Sequence, residues 1–237
     1  MERKDMVNVV ERFSDKAKEI WENSEKDWLF LMLDKQYDLL LNIIESKNLY
    51  NKSIKDLTIN TALSIYDEMA EYIDIVLDNN LDEEKRTTEA LFEIIDAIHF
   101  VMQLHFLSTA QYYGYSIDSL QKQDVRNVII NNAINSIKFF GERGKPYMKT
   151  KDRETIYEIY SMINVQISTV LSNVHWKLWK NYKEFNYYKL IDDIATLFYM
   201  LVFNFGLICQ DRDYESKLVE YYIIKNIENF DRQERGY

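Results

Sequence analysis

Apolar positions recur at three- and four-residue intervals through most of this chain, the period of an amphipathic helix. On that pattern the sequence predicts helices over 5–22, 26–46, 59–79, 83–109, 122–140, 151–173, 186–209 and 214–233. The stretch 83–109 is apolar nearly all round, as a helix buried on every side must be. Leu91, Ile95, Ile98 and Met102 form one of its faces and Ile94 and Val101 another. Glu93 and Asp96 share the remaining face with Phe100 and Leu107. On 59–79 the buried stripe is Ile65, Met69, Tyr72, Ile73 and Val76. Glu68 borders it, Glu71 lies one step further round, and Asp67 and Asp74 point to solvent. The longest uncharged run, Ile194 to Cys209, is shorter than the ~20 apolar residues that span a bilayer and reads as a core helix.

Composition narrows the architecture. With 237 residues, 47% of them hydrophobic, the chain is long enough for a real core. Five glycines and one proline are too few for an all-β protein with many tight turns. The expectation is an all-α, multi-helix bundle forming one domain over 1–237, with two core helices that carry carboxylates. Its clearest break is Gly141-Glu142-Arg143-Gly144-Lys145-Pro146. The start, Met1 to Asp5, lacks the apolar core of a signal peptide. The lone Cys209 rules out an intrachain disulfide framework and a Cys-rich zinc site, and a cytoplasmic location is expected. A net charge of −10 disfavours nucleic acid as a partner, and no membrane is expected. A nucleotide stays open, because one pocket can be locally positive or metal-filled.

The carboxylates carry the chemistry. Glu68 and Glu71, and then Glu93 and Asp96, are each spaced one helical turn apart, so each pair projects from one side of its helix. Two such helices side by side would join four oxygen ligands, a set suited to magnesium and through it to a polyphosphate. A solvated charged rim is the alternative for the first pair. For the second it is less natural, because bare charges inside an apolar helix are costly to desolvate. Asp96 followed by His99 also has the spacing of a di-iron bundle ligand pair, but neither His105 nor His175 supplies the second copy. His99 is expected to be a core histidine. At the C-terminus, Ile223, Ile227 and Phe230 line one face, and Lys225, Asn229 and Arg232 the opposite one. The latter would cradle phosphate oxygens or simply end a solvated helix. A short internal repeat sets Phe92–Ile98 on Tyr188–Ile194. It puts Lys189 where Glu93 stands, Asn164 opposite Glu68 and Ile167 opposite Glu71, so that only the first copy keeps the acids.

Together these segments resemble the all-α, dimeric dUTPases of the MazG-like nucleotide pyrophosphohydrolase superfamily. The run Tyr66-Asp67-Glu68-Met69-Ala70-Glu71 is similar to the first metal motif of that family, and Glu93 to Phe100 is similar to the second. Lys225-Asn226, Asn229, Arg232-Gln233 and Gly236-Tyr237 agree with its closing motif at every fixed position. The resemblance covers roughly 29–237. It implies magnesium held by Glu68, Glu71, Glu93 and Asp96, and a water nucleophile activated by the ions. Glu71 or a neighbour would orient or deprotonate that water. It further implies phosphate binding by Lys225, Asn229, Arg232 and Tyr237, base reading through Gln36, and a homodimer whose partner helps to form each site. The expected reaction is hydrolysis of dUTP to dUMP and pyrophosphate.

Two departures bear on the base. Relatives carry an Asn four residues after the Gln at position 36; here Leu40 stands there. Their Trp-Lys-rich segment after the first acidic motif is replaced by Leu77-Asp78-Asn79-Asn80. A similar stretch, His175 to Lys180, occurs later, where it also reads as an amphipathic helix with buried tryptophans. The alternatives are therefore the same chemistry on dUDP, dCTP or a broader set of nucleotides, or a helical binding protein that has lost catalysis.

Overall fold

The structure, a computed structural model, describes residues 6–24, 27–141, 153–177, 185–211 and 213–235. Among these residues the fold is eight α-helices with no strand: α1 (Met6–Glu22), α2 (Trp28–Ser46), α3 (Ile54–Leu77), α4 (Glu83–Tyr113), α5 (Gln123–Gly141), α6 (Arg153–Asn173), α7 (Tyr187–Cys209) and α8 (Tyr214–Glu234). All-α architecture is thus as expected, and most helix ends fall within a residue or two of the hydrophobic pattern. Gly141, expected to open the loop through Pro146, instead ends α5, and 142–146 lie outside the described residues.

The larger differences have local causes. α3 begins at Ile54 rather than 59, because Ser53 caps it and accepts a hydrogen bond from the Asp56 backbone N–H. α4 runs to Tyr113 rather than 109, stopping where Gly114 adopts φ 70°. His175 to Lys177 lie outside any helix, with His175 at φ 57°, so the helical reading of that stretch is corrected; 178–180 lie outside the described residues.

α3 and α4 form a closely packed hairpin. α4 also runs along α7, while α6 packs on both α7 and α3. The hairpin α3–α4 and the pair α6–α7 therefore pack against each other. α4 and α7 are each long and apolar enough to cross a membrane by length and composition, yet most of the apolar window of both is buried inside the bundle. Their core includes Ile95, Ile98, Met102, Leu197, Phe198 and Leu201.

α2 and α8 close one side of this core. The Tyr222 hydroxyl lies 3.0 Å from the Met32 carbonyl oxygen, and the Asn226 amide donates to the Lys35 carbonyl. α5 braces α2 through Arg126, whose guanidinium donates to Asp34 at 2.7 Å and to Asp38 at 2.6 Å, with the Tyr37 ring beneath it. α1 lies along the other flank of α8, where the Ser14 hydroxyl donates to Glu220 at 2.8 Å and Arg12 pairs with Asp231.

Candidate functional site

The spacing on α3 and α4 does what the helical period demands. One carboxylate oxygen from each of Glu68, Glu71 and Glu93 lies within 4.8 Å of the other two. Glu71 is exposed, whereas Glu68 and Glu93 are half-buried. Asp96, one turn along α4, stands outside this close group and places Oδ2 2.7 Å from Lys225 Nζ.

Crowding of like charge in a desolvated place shows in the acidities. Burial, followed by the negative charges of Asp96, Glu93 and Glu71, pushes the Glu68 carboxyl up to about 9, against the opposing pull of Lys225. Burial and then Asp96 push Glu93 up to about 7, with Lys225 again opposing. Asp96 is raised by burial even with the Lys225 ammonium against it. Near neutral pH the cluster therefore holds protons that a cation would displace. Three converging carboxylates that cannot all ionise alone fit a hard divalent cation.

Glu68 and Asp96 also line a cavity of about 190 Å³ between α2, α3, α4 and α8. Gln36 lines it from α2, and Asn229, Arg232 and Gln233 line it from α8. Its apolar wall is Leu39, Ile43 and Phe100. Residues distant in sequence but singled out by their motifs thus meet in one small space. Gln103 also faces it, held by its donation to Thr61 Oγ1 at 2.9 Å.

Not every predicted residue lies where its motif suggests. Lys225 is only 7% exposed and is not part of the cavity wall; it sits between Asp96 and Glu228, 3.4 Å from the latter. Burial alone would lower its pKa, but Asp96 and then Glu228 more than offset this and raise it. Tyr237 lies outside the described residues. Leu40 is in the hydrophobic core and is not part of the cavity wall; the α2 residues beside Gln36 on that wall are Leu39 and Ile43.

His99 is a buried wall residue, as its place on α4 suggests, and stays outside the carboxylate group. Its Nδ1 lies 2.5 Å from Gln36 Oε1, and its ring stacks on Tyr222 with centroids 4.3 Å apart. The Tyr222 hydroxyl lies 3.0 Å from the same amide oxygen. Burial, and then Lys225, lower His99 to about 3, so it is a neutral imidazole whose Nδ1–H donates to Gln36. With Oε1 so engaged, the Gln36 amide nitrogen is the group left for a ligand. Sequence reasoning did not find Tyr222 or Glu228. The i, i+3 spacing of Glu228 from Lys225 was the one available signal for the latter.

Among the described residues, α6 and α7 bring no such carboxylate group together. Asp193 accepts from Asn173 at 2.5 Å and pairs with Lys189 at 3.1 Å, and Ile167 is fully buried.

Compared with known proteins, the chain matches no family model, no curated protein and no solved structure.

Proposed function

We propose that the protein is a magnesium-dependent nucleoside triphosphate pyrophosphohydrolase that converts dUTP to dUMP and pyrophosphate. The observation that carries this reading is the shared wall of the 190 Å³ cavity. There Glu68 and Asp96, from the two acidic motifs, face Gln36 from α2 and Asn229 and Arg232 from the C-terminal motif. Glu68, Glu71 and Glu93, with Asp96, would hold the cation. Magnesium bound there would supply Lewis acidity and charge neutralisation for a triphosphate.

The chain's own groups would do the rest. Arg232 offers a forked donor and Asn229 an amide to phosphate oxygens. Glu71, the exposed member of the cluster, is open to solvent and would take the proton of the attacking water. Leu39, Ile43 and Phe100 give a flat ring an apolar surface to lie against. Gln36 would then donate to a ring carbonyl. Because His99 and Tyr222 occupy its oxygen, it presents a donor, which suits the O4 of uracil and opposes the amino group of cytosine. The proposed substrate is accordingly dUTP rather than dCTP, and the proposed assembly is a homodimer.

The test is pyrophosphate release from each deoxynucleoside triphosphate with and without magnesium. Rapid magnesium-dependent release from dUTP alone is the expected result. Release from dCTP or from several nucleotides would keep the chemistry and overturn the base assignment. No release from any nucleotide would overturn the enzymatic reading.

A further inference from the structure

Lys225 and Glu228 lie one turn apart on α8, and both are buried, at 7% and 2% exposure. An ammonium and a carboxylate at that depth are costly unless each has a partner. The Lys225 ammonium has two carboxylates, Asp96 at 2.7 Å and Glu228 at 3.4 Å, and the Phe92 ring centroid 6.0 Å away. Asp96 belongs to the predicted cation ligands, and the lysine holds its Oδ2, so a cation drawing on this carboxylate must compete with the ammonium. A lysine with Asp96 as its sole partner would resist that exchange, because losing Asp96 would strand a buried positive charge.

We propose that Glu228 is a positioning residue for the carboxylate site: it holds the Lys225 ammonium between two carboxylates, so that Asp96 can turn to a divalent cation while the lysine stays paired. The proposal rests on the reading of Glu68, Glu71, Glu93 and Asp96 as cation ligands, and goes beyond it in assigning a task to a residue outside both acidic motifs. Glu228 then acts through Lys225, and its loss would tighten the Lys225–Asp96 contact against an incoming cation.

The experiment is titration of the purified protein with Mn²⁺, followed by electron paramagnetic resonance of the free ion, without nucleotide. Glu228→Gln is expected to weaken Mn²⁺ binding about tenfold. The double variant Lys225→Met/Glu228→Gln, which removes the competing ammonium together with its holder, is expected to bind at least as tightly as the unaltered protein. Circular dichroism checks that each variant is folded. If Glu228→Gln does not fold, the double variant alone decides, since it leaves no unpaired charge between these two positions. Unchanged binding in Glu228→Gln, or a double variant as weak as Glu228→Gln is expected to be, would overturn the proposal. An unaltered protein that binds no Mn²⁺ would overturn the ligand reading itself and this inference with it.

Discussion

Lys225 places its ammonium 2.7 Å from the Asp96 carboxylate, tying the last helix of the chain to the helix that bears the second acidic pair. Removing the acid would leave a buried lysine with less compensation. Asp96→Ala is therefore expected to lower stability by about 2 kcal/mol, read from urea unfolding, and to abolish magnesium-dependent hydrolysis. A variant with undiminished stability would show that the pair contributes little to holding α8.

Glu71 is expected to behave in the opposite way. It is exposed, and its charge pushes on Glu68 and Glu93. Glu71→Gln should raise the thermal midpoint of the metal-free protein by about 1–2 °C while removing hydrolysis, the pattern of a residue kept for chemistry at the expense of stability. Calorimetry and pyrophosphate release on the same sample check both halves.

The raised carboxyls set a pH dependence whose sign follows from linkage. Glu68 titrates at about 9 in the folded protein against 4.5 for an ordinary glutamate, and Glu93 at about 7. The folded state holds these protons more tightly than the unfolded chain. The resulting stability is complete below the unfolded value and is lost as pH rises through about 7 and then about 9. Through these two groups, the melting temperature of the metal-free protein should fall between about pH 5 and about pH 9. Magnesium should restore more of it at the alkaline end, where the ligands are already ionised. A melting temperature that rises over this range without metal would contradict the assignment.

Leu40 gives a test of base reading. It stands at the position where an asparagine would be expected, yet it packs in the core and is not on the cavity wall. Leu40→Asn should cost about 3 kcal/mol, because it removes apolar contact and buries an amide, and should leave the ratio of dUTP to dCTP hydrolysis unchanged. Denaturant unfolding and paired kinetics separate the two effects.

Much of the helical frame is legible in the sequence because its hydrophobic stripes are long and few glycines or prolines interrupt them. α7, expected over 186–209 and found at Tyr187–Cys209, is the clearest case. The start of α3 was harder to read, since its cap, Ser53, lies before the apolar stripe begins. The carboxylate pairs were legible because their spacing is local. The cavity was not, because it depends on α2 and α8 meeting, as Gln36 and Tyr222 do across 186 positions of sequence. A helical wheel also could not tell that both faces of α8 are covered. Ile227 and Phe230 lie in a cleft with Phe13 of α1, whereas Lys225 turns toward α4. A face that reads as solvated is thus the one carrying a buried lysine.

α8 is at once a wall of the core, through Tyr222, Ile223 and Ile224, and a wall of the cavity, through Asn229 and Arg232. The core contacts lie in the middle of the helix and the cavity contacts near its end, so one continuous element carries both. Removing α8 would therefore be expected to open the bundle together with the cavity.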